Sequence, residues 1–190
     1  MTKKTFLKTS RILPQTYSTQ TKEQNKAVFI KNKGLPIPTS KRSMLLALSL
    51  NPKEDTPENL MKEELLLALE ANKMYTIVIG ENPHPTHFKY VFFVDPLYTR
   101  EVQQIADLYI WPEREKEPSI MHHGTVCISQ YNDYVDQYDP QKEIGCGFVS
   151  RLSSHWTLFA DIIRAEESYK FIYDWKHICQ NAMDRSYIDL

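Results

Sequence analysis

Glycine is scarce in this chain, five among 190 residues, and none belongs to a phosphate-cradling loop of the Walker or dinucleotide type. Cysteine is scarcer. Cys127, Cys146 and Cys179 make an odd set without paired spacing, which argues against a disulfide framework and for free thiols in a reducing compartment. No apolar run approaches the roughly 18 residues that a membrane span needs. No period of about 20–50 residues recurs, which argues against a solenoid, and 11 prolines with so little glycine exclude a collagen-like polymer. The first residues lack the continuous apolar core of a secretory leader, and their Lys-rich, Arg-poor makeup fits a transit peptide badly. The expectation from these absences is a cytoplasmic protein without a membrane partner.

What is present is an ordinary globular composition, with 42% hydrophobic, 25% charged and 12% aromatic residues. A domain of this length buries about 70% of its unfolded surface and needs no metal or disulfide staple. The net charge of −1 hides an asymmetry. Residues 1–43 carry ten Lys or Arg against Glu23 alone, a net +9, whereas residues 44–190 carry a net −10. The division expected is therefore a basic, poorly ordered or extended arm over 1–43 and a folded domain over 44–190. Within the arm, a short strand is expected at residues 27–31. The arm lacks clustered Arg and dense aromatics, and the body is acidic, so the pattern argues against nucleic acid as the partner.

Along the body, Thr56-Pro57-Glu58-Asn59 reads as a helix start, with a capping hydroxyl, proline at the first position and an acid in the first turn. An amphipathic helix should run to about Asn72. Residues 74–79 and 88–94 are β-branched and aromatic runs around a Gly/Asn/Pro loop, the pattern of a β-hairpin. Residues 102–111 read as another strand, and residues 112–118 as a charged surface loop between two prolines. A long helical region covers about 154–183, with a bend or break near Glu166 and Glu167. Trp156, Ile163 and Trp175 share one broad stripe of it and should pack on the sheet. Helix, then strands, then helices predicts an α+β fold: an antiparallel β-meander with an N-terminal helix and C-terminal helices packed on it.

Chemistry-bearing residues gather around Cys127. His122 and His123 lie just upstream, and Ser129, Gln130, Asn132 and Asp133 follow. A thiolate is the reactive form of cysteine, and a neighbouring imidazole can lower the thiol pKa to give it. Flanked by Val126 and Ile128, the same cysteine also reads as a small buried hydrophobe. His84, His87, His122, His123 and Cys127 are metal-ligand types, but no zinc-finger or His-Glu-x-x-His spacing organises them, so neither metal nor cofactor is expected.

The segment His122-His123-Gly124-Thr125-Val126-Cys127-Ile128 behind the strands resembles the active-cysteine segment of ubiquitin-conjugating enzymes. Ile162-Ile163 and Phe171-Ile172-Tyr173-Asp174-Trp175 resemble the C-terminal helix of divergent bacterial members, which accompany antiphage and other ubiquitin-like conjugation operons. The resemblance spans about residues 57–178. The Asn that the family places ahead of its cysteine has no counterpart between Asn82 and Asn132. The resemblance implies transthioesterification: Cys127 accepts the C-terminus of a ubiquitin-like protein from an activating enzyme and passes it to an amine. It implies His122 or His123 as donor or base, Asp133 as the group orienting the amine, and a nucleotidyltransferase or other operon partner. The alternative it leaves open is a non-catalytic module of the same fold that binds a ubiquitin-like protein.

Overall fold

A computed structural model describes residues 18–39, 43–50, 57–82, 87–151 and 154–187. Its elements in chain order are α1 (Thr19–Lys33), β1 (Leu46–Ser49), α2 (Pro57–Ala71), β2 (Thr76–Ile79), β3 (Val91–Val94), α3 (Thr99–Ile105), β4 (Leu108–Ile110), α4 (Glu117–Met121), β5 (Val126–Ser129), β6 (Gly147–Val149), α5 (His155–Lys170) and α6 (Ile172–Ser186). The strands form one sheet in the order β3-β2-β1-β4-β5-β6, and every pairing is parallel.

The expected antiparallel meander is thus corrected to a doubly wound parallel sheet. The strands are three or four residues long and apolar on both faces, because helices cover each side. On one face Leu46, Leu48, Leu108, Ile110 and Ile128 pack against Leu65, Leu66 and Leu69 of α2 and Leu158 and Ile162 of α5. On the other, Ala47, Ile77, Tyr109 and Cys127 meet residues of α1, α3 and α4. α6 contributes Trp175, Ile178 and Cys179 to the first cluster and Ala182 to the second.

Local differences have local causes. The two runs read as a hairpin are β2 and β3, paired in parallel from Thr76↔Val91 to Ile79↔Val94. Glu70, near the end of α2, fixes the entry to β3 by accepting from the backbone N–H groups of Lys89 (2.8 Å) and Tyr90 (2.7 Å). The strand expected over 102–111 divides into the end of α3 and β4. The late helical region breaks at Phe171, a few residues beyond the acidic pair. Trp175 is buried, but Trp156 is 64% exposed, so the expected stripe fails at its first residue. The Thr56 cap lies outside the described residues.

Part of the span read as a basic arm is α1, capped by Ser18 and closed by Gly34 at φ 62°. Its buried stripe is Lys22, Lys26, Phe29 and Ile30, a helical spacing that hydropathy hides because two of the four are lysines. Their alkyl stems pack while the ammonium groups reach acceptors at the sheet. Lys26 Nζ lies 2.7 Å from Asp107 Oδ2 and 3.1 Å from the Ser43 carbonyl. Lys22 donates to Thr125 Oγ1 (2.8 Å) and the Gly124 carbonyl (3.1 Å), and burial pushes its ammonium below the ordinary lysine pKa. Residues 1–17 lie outside the described residues.

Candidate functional site

Strand order reverses between β1 and β4, the central pair, since β2 lies outward of β1 on one side and β5 outward of β4 on the other. In open parallel sheets the crevice beyond the carboxyl ends at such a reversal is where ligands bind, because the chain leaves in opposite directions and opens a cleft. Polar side chains collect at that edge here. Ser49 ends β1, and its hydroxyl lies 2.6 Å from the hydroxyl of Tyr109 on β4. Burial raises the Tyr109 pKa to about 12, so the phenol stays protonated. From α2, Lys62 donates its ammonium to the Ser49 carbonyl at 3.1 Å, bringing a cation to the end of β1. Immediately beyond β4, Trp111 adopts φ 47°, a left-handed conformation that costs a side chain of this size about 1–3 kcal/mol and that recurs at functional turns.

Glu117 opens α4 and is 1% exposed. Its carboxylate oxygens accept from Asn132 Nδ2 at 2.8 and 3.1 Å, and Asn132 Oδ1 in turn accepts from the backbone of Tyr134 and Val135. Burial pushes the Glu117 carboxyl above the usual carboxylate range, and the neighbouring Ser129 and Asn132 side chains offset part of that rise. Ser129, the last residue of β5, keeps a buried Oγ that makes no hydrogen bond of ordinary geometry. The arrangement offers hydroxyl, amide and carboxylate groups beside one ammonium. Such a set can hydrogen-bond sugar hydroxyls and meet a phosphate.

The residues singled out from the sequence fall elsewhere, with one exception. Cys127 is the second residue of β5, fully buried between Tyr109 of β4 and Gly147 of β6. Burial raises its thiol well above the ordinary cysteine pKa, so it is neither presented to a partner nor ionised. His122 and His123 sit past the C-terminal end of α4, on the side where β5 begins. The His122 ring packs edge-on to Tyr187 with centroids 5.0 Å apart. Asp133 does lie beyond the carboxyl end of β5, exposed and paired with Arg114 at 3.0 Å. The four are not brought together as a site. His84 lies outside the described residues, and among the described residues no three His, Cys, Asp or Glu side chains are grouped as for a metal.

Sequence reasoning missed Glu117, because residues 112–118 read as a solvated loop. The signal was Glu117-Pro118, an acid with proline in the first turn, the same pattern that marked the start of α2.

No family model matches the chain, and no curated protein matches it in sequence. Its structure is similar to the catalytic domain of starch synthase IV from Arabidopsis thaliana bound to ADP and acarbose. That likeness has a TM-score of 0.65 at 19% identity and covers 86% of this chain and 39% of the other. The likeness is one of fold. A second structure, UDP-GlcNAc 2-epimerase from Neisseria meningitidis bound to UDP-GlcNAc, is more distant, with a TM-score of 0.45 at 13% identity over 87% of this chain and 47% of that one. This chain spans well under half the length of the starch synthase domain. The fold shared with the starch synthase domain and the all-parallel sheet together overturn the resemblance to ubiquitin-conjugating enzymes. With it go thioester chemistry on a cysteine, the acyltransferase assignment and the ubiquitin-binding alternative. Among the described residues, no helix is long and apolar enough to cross a membrane.

Proposed function

We propose that this chain is a nucleotide-binding module that takes a nucleoside diphosphate sugar at the carboxyl edge of its sheet, over β1 and β4. The observation that carries the reading is the polar set gathered there: Lys62 at the end of β1, the Ser49–Tyr109 pair, and the buried Glu117–Asn132 pair beside the Ser129 hydroxyl. Lys62 supplies the charge for a phosphate, and the hydroxyl, amide and carboxylate groups suit the hydroxyls of a ribose or hexose. The ADP bound to the starch synthase domain is consistent with this class of ligand. All three cysteines are buried and none is in a disulfide, which supports a cytoplasmic setting.

Isothermal titration of the 190-residue protein with ADP-glucose, UDP-GlcNAc and ADP tests the reading. Saturable binding to at least one is expected, with a Kd between about 1 μM and 1 mM, the range common for enzyme substrates. Lys62→Gln should weaken binding of the diphosphates. Absence of binding to all three at several times that upper bound would overturn the proposal.

A further inference from the structure

An exposed aromatic side chain held in a fixed orientation at a ligand-binding edge offers a stacking surface for the flat face of a ring. Trp156 is such a residue. It is the second residue of α5, 64% exposed, whereas Trp175 is 2% exposed. Its position is set by a chain of contacts. The capping box of Ser154 and Thr157 fixes the first turn of α5. His155 Nδ1 lies 2.6 Å from Glu64 Oε2 on α2, and the His155 imidazole lies against the indole with ring centroids 4.7 Å apart. The start of α5 follows β6 directly, so it stands at the carboxyl edge of the sheet. α2 and α5 cover the same face, and α2 also carries Lys62 to that edge. An oriented aromatic and a cation therefore stand on two neighbouring helices at the edge assigned above to the nucleotide.

We propose that Trp156 is the platform on which the flat face of a ligand ring stacks, with Glu64 and His155 as positioning residues that hold the indole ready. The proposal rests on the nucleotide reading above and deepens it by assigning the ring, as distinct from the phosphates, to α5. A nucleobase and a pyranose present the same flat, largely apolar face, and the probes below separate them.

The test measures binding of the full chain to three probes by titration calorimetry. ADP carries a base and phosphates, inorganic pyrophosphate carries no ring, and maltotriose carries pyranoses alone. Trp156→Ala should weaken the ring-bearing ligand by roughly 5- to 100-fold, the range for loss of one aromatic stack, and leave pyrophosphate unchanged. Trp156→Phe should recover most of the loss, and Glu64→Ala should reproduce a smaller part of it. Loss confined to ADP assigns the platform to the base, and loss confined to maltotriose assigns it to the sugar. Circular dichroism and melting of each variant exclude a general folding defect. If the parent protein binds ADP while Trp156→Ala leaves the affinity for ADP and maltotriose unchanged, the platform is wrong and the nucleotide reading stands. If the parent protein binds none of ADP, ADP-glucose and UDP-GlcNAc, both fall.

Discussion

Burial, together with the neighbouring His122 imidazole and the Lys22 and Arg100 cations, pulls the pKa of His123 down to about 4, from an ordinary imidazole value of 6.5. The unfolded chain therefore binds a proton that the native protein refuses between those two values. The stabilisation is complete above pH 6.5 and is lost as the pH falls toward 4. Because the ring is only partly covered, the loss should be about 1–2 kcal/mol. Urea unfolding at pH 7, 6 and 5, a range in which few carboxylates titrate, should show stability declining with acid, and His123→Asn should flatten that decline. An unchanged slope in the variant would place the cause elsewhere. Burial likewise withholds Cys127 from solvent and raises its thiol pKa. Two adjacent histidines, a glycine and a cysteine form a pattern that chemistry often uses, yet Cys127 alternates into a sheet face with 0% exposure. Residue type was legible at that position, but the cover supplied by α1, α3 and α4 was not.

At the scale of elements, α1 is the one most dependent on polar contacts. Asp107 is 2% exposed and accepts from both Lys26 Nζ and the Leu45 backbone N–H, each at 2.7 Å. Removing one partner of a buried pair leaves the other charged and unsatisfied, at a cost of about 3–5 kcal/mol. Asp107→Ala should lower the unfolding free energy by that amount, and adding Lys26→Met should restore part of it. A double variant no more stable than Asp107→Ala would show that an unpaired Lys26 ammonium is not the source of the loss. α2 was legible from Pro57 and its leucines, because its stripe is apolar and its start is marked. α1 was not, since half of its buried stripe is lysine. α3 and β4 were merged into one strand because a seven-residue helix is too short to show its period.

For the whole molecule, strand positions were largely readable and strand direction was not. Short apolar runs such as residues 45–50, 108–110 and 126–128 fit either direction. The cue that favoured a parallel sheet was their lack of in–out alternation, which means both faces are covered. Topology in turn places the candidate site. A meander has no reversal of strand order, so the edge where Ser49, Tyr109, Glu117 and Ser129 converge could not be anticipated from their spacing in sequence. The proposed role of this carboxyl edge is to take a nucleotide. Backbone amide shifts of 15N-labelled protein during titration with ADP test it most directly. Saturable shifts should concentrate at Ser49, Leu50, Trp111 and residues 129–132, with the opposite edge, around Tyr75 and Gly124, unmoved. Saturable shifts centred on that opposite edge, or no shifts at millimolar ADP, would contradict it.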